Sequence, residues 1–192
     1  MPEKNQAALD FLLTRRSRPA KTLQPPVPDR DTLLTLLTAA GRTPDHGKLE
    51  PWRFVVLEGS AFARLSALVA ERGAALGKAQ EDIVKAQGQF DMGHLAVVVV
   101  ESPKPSDKIP AIEQTYSAGA VCLALLNAAL SAGWGANWLS GWPSHDPGFC
   151  KAGLGLEGHE RVAGIIHIGT EKTAPPERPR PDIEAITQWH SQ

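Results

Sequence analysis

Apolar residues recur along this chain with two different periods. Ala8, Leu9, Leu12 and Leu13 stand at helical spacing and predict a short amphipathic helix over residues 5–14. Leu33, Leu34, Leu36, Leu37 and Ala40 form the apolar face of a second helix, with Asp29 or Asp31 as its cap and an end near Gly41-Arg42, before Pro44. Ser60 reads as the cap of a third helix reaching about Gly77, with a more polar helical stretch continuing to Gln87. Residues 111–132 predict the longest helix, apolar on nearly every side from Ala118 onward, and a brief capped helix starts at Asp146.

Between these lie β-branched and aromatic runs. WRFVVLEG, entered at Trp52 and closed by Gly59, predicts a buried strand. HLAVVVVES at 94–102 lacks alternation, as expected of a strand covered on both faces. Short strands are also expected near 135–140 and over RVAGIIHIGT, ending at Gly169. A proline-rich stretch then leads to a terminal helix or arm over 182–190. Strands alternating with helices define a mixed α and β class, and short connections predict one domain over residues 1–192. A helix apolar all round, like 111–132, belongs in a domain core or a subunit interface.

Composition narrows the function classes. The chain has 20 basic and 21 acidic residues, net −1, so it has no bulk attraction for phosphate backbones or anionic membranes. No nucleic-acid partner and no membrane association are expected. The longest apolar run, Ala118 to Leu130, contains Asn127 and is too short to span a bilayer. Two cysteines, Cys122 and Cys150, make no secreted-type disulfide framework, and the N-terminus lacks the order of a signal peptide. The expected location is cytoplasmic.

Several motifs fail on context. Gly153-Leu-Gly155-Leu-Glu-Gly158 matches GxGxxG but precedes a strand, where dinucleotide binding needs the opposite order. Gly73 to Lys78 is one residue short of a phosphate loop, and no Gly-x-Ser-x-Gly elbow exists. The six histidines show no zinc spacing, so no metal is expected. Three features hold more interest. Arg15-Arg16-Ser17 follows the first helix and offers bidentate donors for a phosphate, or a solvated helix end. Arg42-Thr43-Pro44-Asp45-His46 leads through Gly47-Lys48-Leu49-Glu50 to Pro51-Trp52, or is an ordinary helix-to-strand loop. Trp134, Trp138 and Trp142 alternate with glycines, which suits a planar aromatic ligand or a core cluster.

Taken together and in order, these features resemble the nitroreductase family of flavin enzymes. Arg-Arg-Ser follows the first helix, the second helix ends in Arg-x-Pro, and Pro-Trp-x-Phe enters the first strand. A long apolar helix, a Gly-rich turn and a last strand ending in Ile-Gly-Thr complete the pattern. Glu113-Gln114 and Ser117-Ala118-Gly119, opening the long helix, are similar to the compact YdjA-like subgroup. The likeness spans about residues 7–170, leaving 171–192 as a C-terminal arm.

The resemblance implies an α+β fold, nitroreductase-like, with a central, mostly antiparallel sheet flanked by helices. It implies a homodimer with FMN at the subunit interface and helix 111–132 in the dimer core. By position, Arg15, Arg16 and Ser17 would hold the FMN phosphate and ribityl end. Arg42 and His46 would reach FMN from the other subunit, and Trp138, Leu139 and Ser140 would lie along the isoalloxazine. Ala128, Ala129, Leu130, Ser131, Ala132 and Gly133 would serve the nicotinamide nucleotide. The implied activity is FMN-dependent NAD(P)H oxidoreduction, passing hydride to a nitroaromatic or other small acceptor by a ping-pong mechanism. An FMN carrier or sensor without efficient turnover is the alternative. Lys48 and Glu50 replace the Asn and Gln that many family members carry there.

Overall fold

A computed structural model describes residues 3–191. Among the described residues there are six α-helices: α1 (Gln6–Thr14), α2 (Arg30–Ala40), α3 (Ala61–Ala75), α4 (Gln80–Asp91), α5 (Ala111–Ser131) and α6 (Pro147–Leu154). Five strands accompany them: β1 (Leu23–Gln24), β2 (Trp52–Glu58), β3 (Leu95–Glu101), β4 (Gly135–Leu139) and β5 (Arg161–Glu171). β5 is the hub of the sheet. It pairs with β1, β3 and β4, while β2 pairs with β3, and every pairing is antiparallel. The fold is α+β, as the sequence predicts.

The uninterrupted run Leu95–Glu101 is buried at every position, and its alternate side chains feed two separate cores. Ala96, Val98 and Val100 join Leu65, Val69, Phe90 and Phe149 beneath α3, α4 and α6. Leu95, Val97 and Val99 join Leu36, Val121, Leu125 and Ile166 beneath α2 and α5. A strand with helices on both faces needs no polar side, which is why its sequence shows no alternation. Ala163 is the extra residue of a bulge where β5 passes Val99 and Val100.

Most predicted elements stand within a residue or two, and the differences have local causes. α3 and α4 are separate because Gly77, at φ 64°, takes the left-handed conformation after α3. Lys78 N–H then donates to Gly73 O at 3.0 Å and Gly77 N–H to Ala74 O at 3.1 Å, a Schellman closure. Ser60 is not a side-chain cap. Its backbone is already helical (φ −67°, ψ −12°) and its hydroxyl caps nothing. β1, two residues long, carries no periodicity to read. The arm at 182–190 forms turns instead of a helix. Of the two caps proposed for α2 it is Asp29 that accepts, from Thr32 N–H at 2.8 Å. Asp146 caps α6 and also takes a bidentate pair from Arg72, at 2.7 and 3.0 Å, tying α3 to α6. That pair, with burial opposing it, holds the Asp146 carboxyl below its ordinary pKa. Among the described residues no helix is long and apolar enough to cross a membrane.

His167 sits on the α3 side of β5, 2% exposed, with its ring 6.2 Å from that of Phe62 and Nε2 unpartnered. Burial pushes its pKa down to about 4. The unfolded chain takes up the proton first, near pH 6.5, so stability is fully present above that value and is lost as pH falls toward 4. The loss over that window is on the order of 3 kcal/mol. Urea midpoints measured between pH 7 and 4 should fall for the wild type. In His167→Leu this component of the slope should vanish, and an unchanged slope in the variant would remove the assignment to His167.

Candidate functional site

α1 stops at Thr14, and the next four residues run alongside β4. Arg18 N–H donates to Ala136 O at 2.8 Å, and Asn137 Nδ2 returns a bond to Arg18 O at 2.9 Å. These bonds hold Arg15, Arg16 and Arg18 around a cavity of about 260 Å3 that Gly133, Trp134 and Glu171 also line. Arg15 donates from Nη2 to Ser17 Oγ at 3.0 Å. The Nε atoms of Arg15 and Arg16 are buried and have no hydrogen-bond partner among the described residues. Arg15 is held below the ordinary arginine pKa, first by burial and then by the charges of Arg180, Arg16 and Arg18. Glu171 offsets one charge only, with Oε1 at 3.4 Å from Arg18 Nη1. Half-buried guanidiniums crowded together with free N–H groups have the chemistry to receive an anion.

The end of α5 forms the opposite wall. Gly133 at φ 85° closes that helix, with Trp134 N–H donating to Ala129 O at 3.0 Å, and turns the chain into β4. Of the predicted nucleotide segment, Ala129 is buried in the core, Ala128 is half-buried, and Ser131 and Ala132 are exposed. Leu130 and Gly133 line the arginine cavity itself. β4 continues away from the cavity to Trp138, Leu139 and Ser140. The Trp138 indole lies over Gly164, where a Cβ would come within 2.1 Å of its Nε1.

The three tryptophans do not make a common wall. Trp134 packs into the core beneath α2 and α5, and Trp142 into the opposite core, its face against Lys78 Nζ at 5.1 Å. Only Trp138 of the three presents an open indole; it alone lies within β4, while Trp134 precedes the strand and Trp142 opens the short 3-10 turn after it. Spacing on paper could not separate these fates.

Arg42 and His46 lie elsewhere in the chain. Arg42, Thr43, Asp45, Lys48, Trp52 and Phe54 border a second cavity, of about 610 Å3. The loop between is held in an uncommon shape, with φ of 72° at Gly47, 55° at Lys48 and 49° at Glu50. Asp45 Oδ2 accepts from Glu50 N–H at 2.7 Å, while Ser117 of α5 donates to Pro44 O at 2.6 Å. His46 Nδ1 meets Glu113 Oε2 at 2.6 Å. Arg42 and the Arg15 cluster therefore border different cavities of one chain.

Sequence reasoning passed over Arg18, Glu171 and Gly164. Arg18 had a signal, since it completes the run Arg15-Arg16-Ser17-Arg18; Glu171 and Gly164 join the site only through β5 pairing. Neither cysteine adds thiol chemistry. Burial raises Cys122 to about 12 and Cys150 to about 11, which leaves both protonated.

Comparison with known proteins gives a consistent result. The nitroreductase family model matches residues 12–170. YdjA of Escherichia coli (strain K12), named as a putative NAD(P)H nitroreductase, is 33% identical over 163 residues, covering 85% of this chain and 87% of the relative. A putative NAD(P)H nitroreductase of Haemophilus influenzae is 32% identical, covering 85% and 88%. A nitroreductase-like family protein from Bacillus cereus superposes with a TM-score of 0.81 at 25% identity over 100% of both chains. A putative nitroreductase from Desulfovibrio desulfuricans, solved in complex with FMN, shares the fold with a TM-score of 0.74 at 17% identity, covering 99% and 100%.

If the arginine cavity is an anion receptor, inorganic phosphate at ten times its Kd stabilises the protein by roughly 1.4 kcal/mol, a Tm increase of a few degrees. Arg15→Ala with Arg16→Ala should abolish that increase in a thermal-shift titration. An equal increase in both proteins would mean that phosphate acts elsewhere.

Proposed function

This chain belongs to the nitroreductase family, and on that footing we propose that it is an FMN-dependent NAD(P)H oxidoreductase working as a homodimer. Its acceptor is a nitroaromatic or another small molecule. The observation that carries the reading is the arginine cavity, where two buried guanidinium Nε atoms wait without partners. A phosphate monoester fits that donor set, and a planar ring extending from it runs along β4 toward Trp138, Leu139 and Ser140. The names of the Escherichia coli and Haemophilus influenzae relatives, and the FMN bound to the Desulfovibrio protein, point the same way.

FMN, when bound, supplies hydride chemistry at its ring. Arg15 and Arg16 neutralise the phosphate, and Ser17 adds a hydroxyl donor, already oriented by Arg15 Nη2. Arg18 and Asn137 fix the cation segment on β4, so the phosphate end and the ring end are held in register. Trp138 walls the ring end, with Gly164 making room for its indole. Of Ala128 to Gly133 at the end of α5, exposed Ser131 and Ala132 are the residues open to a nicotinamide nucleotide, whereas Ala129 is buried in the core. Nucleotide and acceptor occupy one open face in turn, which gives ping-pong kinetics.

Distances along α5 support the dimer. Glu113, beside His46, and Leu130, on the arginine cavity, are about 26 Å apart at ~1.5 Å per residue. One chain cannot bring both ends to one ring. A second copy with α5 running antiparallel sets the His46 end of one chain beside the arginine end of the other. The outward stripe of α5 suits that packing, with Ile112 at 51%, Tyr116 at 69% and Leu123 at 45% exposure.

The visible spectrum of purified protein, before and after NADPH under argon, tests the reading. Flavin bands that bleach with NADPH, and about one FMN released per chain, are expected. Bands that persist under NADPH would indicate a carrier, and no bands after incubation with FMN would remove the flavin reading.

A further inference from the structure

The first turns of α5 act as an anchor for two loops. Gln114, 4% exposed, accepts from Lys104 N–H at 2.8 Å and donates to Lys104 O at 2.9 Å, fixing the segment that precedes the helix. Ile109 of that segment lies where a Cβ on Gly47 would fall, so Gly47 is pressed against it. Ser117, one turn further along α5, holds Pro44 O. Glu113, on the same side of the helix at i−4, holds His46 Nδ1. The Pro44–His46 segment is thus fastened at both ends to one helix face, and left-handed residues follow it at Gly47, Lys48 and Glu50. Backbone held in such conformations persists only where its surroundings over-determine it.

The His46–Glu113 contact is poor as a stabilising device. Its side chains are 64% and 43% exposed, and exposed pairs of this kind contribute little to folding. Its effect is on geometry. An imidazole whose Nδ1–H is committed to a carboxylate has a defined tautomer and ring plane, and offers only Nε2 to a ligand.

We propose that Glu113 is a positioning residue, which fixes the tautomer and orientation of His46 so that Nε2 is the atom presented to the flavin bound across the subunit boundary. This rests on the reading of the protein as a dimeric FMN enzyme. Glu113 itself touches no cofactor and acts only through His46.

Two measurements test it. Long-range 1H–15N NMR of the histidine rings, on flavin-free protein at a pH where His46 is neutral, reads the tautomer directly. The wild type should show Nδ1–H for His46, and Glu113→Ala should revert to the Nε2–H form that free histidine prefers. Glu113→Gln, which keeps an acceptor oxygen, should retain Nδ1–H. FMN affinity, from quenching of flavin fluorescence, should drop about fivefold in Glu113→Ala, the worth of one hydrogen bond. His46→Ala should lose as much, the double variant no more than either, and Glu113→Gln should stay close to the wild type.

An Nδ1–H tautomer surviving in Glu113→Ala would overturn the proposal, and so would additive losses in the double variant. FMN binding with unaltered affinity in Glu113→Ala would also overturn it while leaving the flavin reading intact. Failure of the wild type to bind FMN at all would overturn both, and is distinguished by that control.

Discussion

The arrangement of α5 against the sheet is the constraint from which the rest follows. Ala118, Val121, Cys122, Leu125 and Ala129 are fully buried on its inner side, and several of them are small. Small side chains let the helix axis approach β3 and β5 closely, and interdigitation with Val97, Val99, Ile166 and Ile168 leaves it little freedom to shift or roll. A helix fixed in this way carries its two ends as fixed points. Glu113, Gln114 and Ser117 at one end hold the segments that carry His46 and Lys104, and Leu130 and Gly133 at the other line the arginine cavity. The functional groups sit on loops, yet their positions are set by a rigid core element.

Burial and mutual repulsion act together on the cluster of Arg15, Arg16 and Arg18. An isolated guanidinium in a half-buried position loses hydration, and three together repel one another. In Arg15 both effects appear as a lowered pKa, with burial the larger cause. The chain tolerates the arrangement because its backbone is stitched to β4 by hydrogen bonds that do not involve the guanidiniums. Where cations are structural here they are paired directly. Arg53 meets Glu160 at 2.6 and 2.7 Å, lowering the Glu160 carboxyl to about 2, and Arg72 is bidentate on Asp146. The directly paired arginines tie framework elements together, whereas Arg15 and Arg16 keep buried Nε atoms with no partner among the described residues.

How far the sequence could be read depended on whether a feature was local. The β3 run announced burial on both faces, the caps Asp29 and Asp146 are local hydrogen bonds, and the long period of α5 survived translation into structure. Arg15-Arg16-Ser17 was legible because the cations are neighbours in the chain. Long-range pairing hid the remainder. Gly164 matters because β5 places it under Trp138, and Glu171 because the same strand brings it beside Arg18. The tryptophans misled as a group because they fall on three different pieces of chain, the turn before β4, β4 itself and the 3-10 turn after it, and Trp134 and Trp142 pack into different cores. Ser60 looked like a cap because its residue type fits, but the chain enters α3 one residue early, leaving no role for its hydroxyl.

The motif at the start of α5 shows what structure adds to a resemblance. In sequence, Glu113-Gln114 and Ser117 are a family-like signature with no stated cause. In the fold each has a distinct partner: His46, the backbone of Lys104, and Pro44 O. Gln114 and Ser117 bind backbone atoms, a task that would suffice to hold a loop. Glu113 binds a side chain instead, and one at the tip of that loop. A carboxylate spent on an exposed imidazole gains little for folding, so its rationale must lie in where the imidazole is held. Because Ser117 already holds the backbone of that loop at Pro44, the freedom left for Glu113 to remove is the rotation of the His46 ring.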